Sequence, residues 1–305
     1  MLTVEHVTKV FNVGAFGGKR LRAVHDVNFE VKPGEVLSLI GESGSGKTTI
    51  GKMILRLSGV TEGAITFDGT DISTLSGHDL KTYYGRAQGV FQDPFSSFNP
   101  IFKADRVFAM IRQEFFPHVG GTEWGAKVGE SLEDVGLNPR DVLNKYPHQL
   151  SGGQLQRLLI ARALLLEIKL LVADEIISML DASTRIDVLN LLADLKTRGL
   201  SIVFITHDLS LGNYISDRTV ILRHGAIVEM GSTATVFGDP RHPYTKMLLD
   251  AVPQLHRKWE EGDAFAEASR ALAAAAAADL AGGGGGQPLV QVAEDHFVAA
   301  NGAAA

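Results

Sequence analysis

A largely apolar run, Val36-Leu37-Ser38-Leu39-Ile40, leads into Gly41-Glu42-Ser43-Gly44-Ser45-Gly46-Lys47-Thr48, and a helical pattern follows over residues 49–57. Buried strand, glycine-rich loop and helix in that order fit the template G-x-x-x-x-G-K-[ST] in the context it requires. The glycines let the backbone wrap close to an anion because no Cβ stands in the way. Successive N–H groups then point at phosphate oxygens, and the helix N-terminus adds positive partial charge. Lys47 is positioned to reach the β- and γ-phosphates of a nucleotide, and the Thr48 hydroxyl to ligate Mg²⁺. Read blandly, the stretch is a glycine-rich turn with a surface lysine, but the full template between strand and helix argues for a phosphate site. What the nucleotide is used for must come from the rest of the chain.

Size and charge narrow the classes. The chain has 305 residues, enough for one large domain or two smaller ones. A net charge of −6 argues against nucleic acid as the main partner. The absence of cysteine excludes disulfides, thiolate metal sites and Cys-ligated iron–sulfur clusters. Residues 1–6 carry no basic segment followed by an apolar stretch, so no secretory signal is expected. No segment approaches the roughly 18 consecutive apolar residues of a membrane span. The expectation is a cytosolic protein that can still sit on a membrane through a protein partner.

Residues 3–10 and 22–31 alternate like half-buried strands, with a Gly-rich, basic loop read between them at 12–20. Residues 32–35 are a turn and 63–69 a short strand, so antiparallel-looking strands surround the glycine-rich loop. A short apolar run ends at 89–94. The stretch 95–148 is helical pattern broken by Pro100, Pro117, Gly120-Gly121, Pro139 and Pro147, and reads as a helical insertion. A long helix is expected over 154–167, a buried strand over 170–173, and an amphipathic helix over 182–197 with Ile186, Leu189, Leu192 and Leu195 on one stripe. A buried strand at 201–206 precedes another helix, and 219–222 and 226–230 are strands joined at His224-Gly225. Strands alternating with helices predict an α/β fold with a right-handed, largely parallel core sheet. Beyond 235 a proline-punctuated short helix, an Ala-rich helix at 266–281, a flexible linker at 282–286, one more strand at 288–298 and a frayed end are expected.

Asp174 and Glu175 stand at the carboxyl end of the 170–173 strand, the edge where ligands bind in open α/β sheets. Asp174 suits the Mg²⁺ shell, and Glu175 can polarise a water aimed at a γ-phosphate. An acidic strand end that merely caps the next helix is the plain alternative, weakened by the company of the glycine-rich loop. Leu150-Ser151-Gly152-Gly153-Gln154 opens the long helix. Its serine can be a simple N-cap, yet a Ser-Gly-Gly nest at a helix N-terminus is also a second anion site. A second cradle suggests a composite site.

With these motifs in order, the sequence resembles the nucleotide-binding subunits of ABC transporters, over about residues 2–235. The resemblance rests on the phosphate loop at 41–48, a Q-loop at Gln92, the signature at 150–154, the Walker B segment at 170–175, a D-loop at Ser178-Met179-Leu180-Asp181 and a switch histidine at His207. It implies a P-loop ABC ATPase domain with a mixed or parallel core sheet, an N-terminal antiparallel β-subdomain and a helical insertion at about 95–165. A C-terminal extension at 236–305 then follows a nucleotide-binding domain at 1–235. It implies ATP and Mg²⁺ as ligands and ATP hydrolysis as the reaction. ATP would rest on Gly41, Glu42, Ser43, Gly44, Ser45, Gly46, Lys47, Thr48 and Thr49, with Phe11 stacked on adenine; a strand-end core Phe is the alternative for Phe11. Two subunits would pair head-to-tail, with Ser151 and Gly153 of the partner subunit closing over the nucleotide. Gly152, Gln154 and Asp181 complete the ATP-binding set. Thr48, Gln92 and Asp174 would attend the metal, and Glu175, His207 and Gln92 the chemistry.

A narrower resemblance is carried by Gln92-Asp93-Pro94-Phe95-Ser96-Ser97-Phe98-Asn99-Pro100 and by Val236-Phe237-Gly238-Asp239-Pro240-Arg241-His242-Pro243-Tyr244-Thr245. Both are similar to the oligopeptide/dipeptide importer subfamily, as is the end, from Pro288 to Val298. On its own, 240–245 is a proline-limited loop with a buried Tyr and no assignable function. The subfamily implies two membrane permeases, a homo- or heterodimeric ATPase pair, an extracytoplasmic solute-binding protein and a peripheral position on the cytoplasmic face of the membrane. Two features depart from the pattern: Ile176-Ile177-Ser178-Met179 replaces the usual Pro-Thr-Ser-Ala, and the subfamily's C-terminal cysteine cluster is missing. A Met-containing D-loop resembles members whose cargo includes oligosaccharides. A soluble ABC-type ATPase acting on ribosomes or DNA, and a nearly inactive member of a heterodimer, are the competing expectations.

Overall fold

The computed structural model describes residues 1–13, 18–251 and 286–300. The expected Ala-rich helix at 266–281, all but the last residue of the linker at 282–286, and the terminal residues 301–305 lie outside the described residues. The chain divides into two compact units, one of residues 1–73 with the chain from 204 onward, the other of residues 74–203.

The first unit begins with β1 (Leu2–Val13), β2 (Lys19–Val31), β3 (Val36–Ile40), α1 (Lys47–Ile54), β4 (Glu62–Phe67) and β5 (Thr70–Asp71). β1 buries Leu2, Val4 and Val7 and turns Glu5 and His6 outward, the alternation of a sheet with one wet face. The antiparallel sheet runs β2-β1-β4-β5. The loop expected over 12–20 is shorter than its composition suggests, because β1 and β2 continue pairing through Phe11↔Leu21 and Asn12↔Arg20. Every residue of β3 is buried. α1 starts at Lys47 and stops at Ile54, earlier at both ends than the pattern over 49–57 suggests. Arg56 adopts a left-handed φ of 54°, and the N–H of Leu57 turns back onto the Lys52 carbonyl at 2.8 Å, which closes the helix.

The second unit holds α2 (Gly77–Arg86), β6 (Ala87–Val90), α3 (Arg106–Phe115), α4 (Gly121–Asp134), α5 (Pro139–Val142), α6 (Gly152–Leu164), β7 (Leu170–Asp174) and α7 (Ala182–Thr197). β6 and β7 pair in parallel, Val90 opposite Ala173. α3 to α5 form the expected helical insertion, broken where proline and glycine interrupt the pattern. α4 is fastened to α6 by the Ser131 hydroxyl, which donates to the Ala161 carbonyl at 2.6 Å. α6 begins two residues earlier than expected and ends before Glu167, whose φ of 52° is left-handed. α7 keeps the expected bounds, but its buried face is Val188, Leu189, Leu192 and Leu195, and Ile186 is 44% exposed. An i, i+3 series slips back by about 60° at each step on a 3.6-residue helix, so its first member rotates off the face.

The chain passes back into the first unit within β8 (Ser201–Thr206), then forms α8 (Leu209–Ile215), β9 (Arg218–Arg223), β10 (Ala226–Ser232), α9 (Thr233–Gly238), α10 (Pro243–Asp250), β11 (Leu289–Ala293) and β12 (His296–Ala299). The strands of this unit's second sheet run β11-β12-β10-β9-β3, with β3 parallel to β9 and the remaining pairs antiparallel. Where one strand is expected at 288–298, the chain makes a hairpin that turns at Glu294-Asp295, with Asp295 at a φ of 50°. A core of Ile40, Leu209, Ile221, Val228, Val236 and Tyr244 draws β3, α8, β9, β10, α9 and α10 together. Among the described residues no helix is long and apolar enough to cross a membrane.

Candidate nucleotide site

β3 delivers the glycine-rich loop. A Cβ at Gly41 would lie 2.1 Å from the Leu222 carbonyl oxygen, so only glycine fits against β9 there. Gly46 has a left-handed φ of 101°, and a Cβ on it would meet the Ala23 carbonyl at 2.6 Å. The Gly225 N–H donates to the Ser45 carbonyl at 3.1 Å, tying the loop to the β9–β10 turn. Lys47 is buried, and its ammonium lies inside the loop: Nζ donates to the carbonyls of Gly41 at 2.6 Å and Glu42 at 2.8 Å and to Ser45 Oγ at 3.4 Å. No side chain caps α1, whose N-cap is Gly46. Thr48 is exposed and Thr49 half-buried on its first turn. Wrapped backbone, an uncapped helix start and a lysine held within the loop form a cradle that suits the polyphosphate of ATP.

Phe11 belongs to the same unit. Its ring is 37% exposed, with Lys9 Nζ 4.9 Å from the centroid, so it is a surface ring and no core side chain. His207 is exposed between β8 and α8. The helix after it is capped by the Asp208 carboxylate, which accepts from the N–H groups of Ser210 at 2.9 Å and Leu211 at 3.4 Å.

The remaining expected residues lie in the second unit. Asp174 ends β7 and is buried. Glu175 follows, half-buried, with a left-handed φ of 53°, a conformation that costs about 1–3 kcal/mol and persists only where its surroundings hold it. What holds it is visible. The Glu175 carbonyl accepts from the Ser178 N–H at 3.1 Å and from its hydroxyl at 2.8 Å. Arg185, which the sequence did not mark, reaches back from α7 to donate to the carbonyls of Leu180 at 2.8 Å and Ser178 at 3.1 Å. Ile176 and Ile177 are 1% and 2% exposed, so the unusual pair anchors this turn in the core and leaves the exposed Met179 on its outside.

Asp181 is the N-cap of α7. Its carboxylate accepts from the Ser183 hydroxyl at 2.7 Å, the Thr184 N–H at 3.0 Å and the Thr184 hydroxyl at 2.9 Å. Those donors, that of Ser183 foremost, hold its pKa well below the usual carboxylate range. Ser151 caps α6 in a reciprocal box: its Oγ accepts from the Gln154 N–H at 3.2 Å, and Gln154 Oε1 accepts from the Ser151 N–H at 2.9 Å. A hydroxyl that accepts at a cap keeps its own hydrogen to donate elsewhere. A Cβ at Gly153 would lie 2.6 Å from Thr184 Cγ2, so the signature helix packs directly on the residue that Asp181 binds. Gln92 is exposed beyond β6. Among the described residues no group of three or more His, Asp or Glu could hold a metal by itself. Of the residues expected to attend Mg²⁺, Thr48 belongs to the first unit and Gln92 and Asp174 to the second.

Residues 24–178 match the ABC transporter family. The chain belongs to that family. The α/β ABC cassette fold and the ATPase class expected from the sequence stand with it. Residues 228–282 match a second family, the C-terminal region of oligopeptide/dipeptide transporters. An oligopeptide transport ATP-binding protein OppF of Streptococcus mutans is 44% identical over 255 residues, covering 83% of this chain and 82% of that protein. A dipeptide transport ATP-binding protein DppF of Lactococcus lactis is 42% identical over 256 residues, covering 83% and 81%. Among solved structures, a post-hydrolysis dimer of the ATP-binding cassette MJ0796 bound to ADP and phosphate superposes with a TM-score of 0.69 at 30% identity, over 76% of this chain and 99% of that one. These relatives do not favour the ribosome- or DNA-acting alternative.

Proposed function

We propose that this ABC cassette is the ATP-hydrolysing subunit of an importer for oligopeptides or dipeptides. The observation that carries the chemistry is the loop at 41–48, sterically wrapped around the Lys47 ammonium at the start of α1. The cargo class rests on the relatives, one named for oligopeptide and one for dipeptide transport. Lys47 and the backbone N–H groups of 42–49 bind the phosphates, and Phe11 stacks on the base. Mg²⁺, when bound, neutralises phosphate charge; Thr48, Asp174 and Gln92 are the residues that would hold it. Glu175 orients and polarises the attacking water, and His207 steadies the γ-phosphate. Ser151, Gly152, Gly153 and Gln154 of a second subunit complete the site head-to-tail, with Asp181 beside them.

In this reading residues 1–235 are the nucleotide-binding domain, with its helical subdomain at about 95–165, and 236–305 are the extension of the oligopeptide-transporter type. The subunit pairs with itself or with a second ATPase, and sits against two permeases on the cytoplasmic face of the membrane. An extracytoplasmic binding protein supplies cargo. The test is peptide-stimulated ATP hydrolysis by the complex assembled with its permeases. Wild-type turnover that Glu175→Gln removes without loss of ATP binding is the expected result; unchanged turnover in that variant overturns the role of Glu175. Failure to co-purify with permeases overturns the importer reading.

A further inference from the structure

The peptide unit between Gly41 and Glu42 is held on both sides. Its carbonyl accepts from Lys47 Nζ at 2.6 Å, and its N–H donates to Tyr244 Oη at 3.2 Å. Carbonyl and N–H of a trans peptide point in opposite directions within its plane, so lysine and phenol hold that plane from opposite edges. Tyr244 lies 202 residues further along the chain, in the extension.

Tyr244 is itself fixed. It is 1% exposed in the core with Ile40, Ile221 and Val236, and the Arg223 guanidinium stands 5.2 Å from its ring centroid. Burial pushes its phenol up to about 12, so it stays neutral at physiological pH. His242 is the N-cap of α10, its Nδ1 accepting from the Tyr244 N–H at 3.1 Å. The fully buried Glu229 accepts from the N–H groups of Arg241 at 2.8 Å and His242 at 3.0 Å, and the His296 ring donates to it at 2.7 Å. A hydrogen-bonded line therefore runs from the last hairpin through Glu229, His242 and Tyr244 to the loop that holds Lys47.

We infer that Tyr244 is a positioning residue for nucleotide binding, setting the Gly41–Glu42 plane and through it the resting place of the Lys47 ammonium. The proposal rests on the reading of 41–48 as the ATP loop. Tyr244→Phe keeps the ring in its core and removes only the acceptor. Loss of one hydrogen bond from the plane weakens binding of a fluorescent ATP analogue with Mg²⁺ to the full chain by about three- to tenfold. In the assembled transporter KM for ATP rises by the same factor and kcat stays within about twofold, because the chemistry lies elsewhere. Hydrogen exchange at the Glu42 amide quickens. A purely structural role lowers the melting temperature and leaves the dissociation constant and KM unchanged, and that result overturns the proposal. Lys47→Ala separates the two claims. If it loses the analogue while Tyr244→Phe binds like wild type, the positioning role alone falls; if Lys47→Ala binds like wild type, the ATP-loop reading falls and the proposal with it.

Discussion

The two glycine-rich helix starts, at Gly46 and at Ser151, solve one problem in opposite ways. A helix leaves its first N–H groups without partners inside the helix. α6 answers with its own side chains, Ser151 and Gln154 exchanging bonds across the cap. α1 has no side-chain cap, and its loop is shaped by backbone contacts at Gly41 and Gly46 with a buried lysine inside. In the proposed function the α1 start is left for a ligand, while the α6 start is satisfied by its own side chains and Ser151 keeps a hydroxyl hydrogen. The first should govern affinity, and the second should matter only once two subunits meet.

That contrast breaks most readily at Lys47. Lys47→Ala should weaken ATP binding to the isolated chain about 100-fold, since hydrogen bonds to charged groups are worth about 1.5–3 kcal/mol each. Retained affinity by titration calorimetry would make the two helix starts equivalent. Glu175→Gln should lower turnover by about 100- to 1,000-fold with affinity intact and a dimer trapped with ATP, read by phosphate release and size exclusion. Gly153→Ala should destabilise the second unit by about 1–3 kcal/mol through the Thr184 methyl group, by the cost of overpacking. Adding Thr184→Ser, which deletes that methyl but keeps the hydroxyl for Asp181, should restore most of the lost stability; no rescue in denaturant titration would show the contact to be unimportant. Ser151→Ala should cost about 1 kcal/mol as a lost cap and slow hydrolysis in the assembled transporter, while ATP binding by the isolated chain stays unchanged.

The smallest effect concerns Asp181. Its folded pKa lies below its unfolded value, so the stabilisation is complete above the ordinary carboxylate pKa and fades only as pH falls through the depressed one. The melting difference between wild type and Asp181→Ala should hold steady from pH 8 to 5 and shrink only in stronger acid. A difference that shrinks between pH 7 and 5 would mean the carboxylate is not held as the structure has it.

The glycine-rich loop was legible because its template specifies local backbone, and local backbone is what a short sequence controls. The bounds of α7 were legible for the same reason, with Asp181 as its cap. The burial of Ile186 was misread because spacing by three drifts around a helix, and only packing reveals which neighbours lie inward. The hairpin at 289–299 hid because Glu294-Asp295 interrupts an alternating pattern by just two residues. The Glu229 cluster and the Tyr244 contact were out of reach: Glu229 sits among apolar residues of β10, and its partners come from 12 to 67 residues away. A glutamate inside the largely apolar run at 226–230 was the one available hint. Arg185 carried no signal, since an arginine on an amphipathic helix is ordinarily solvated.

The hairpin also acts as a guard. β12 covers β10 along Glu229, Met230 and Gly231, a margin that would otherwise present unpaired backbone groups to any passing strand. β11 then becomes the outermost strand, five residues long. A chain cut after residue 251 would lose that cover together with His296, the partner of a carboxylate that is 0% exposed. It would gain a sticky margin and at once leave that carboxylate with only the backbone N–H groups of Arg241 and His242. Clumping of a shortened chain would then be a fault of its sheet margin and not of its glycine-rich loop.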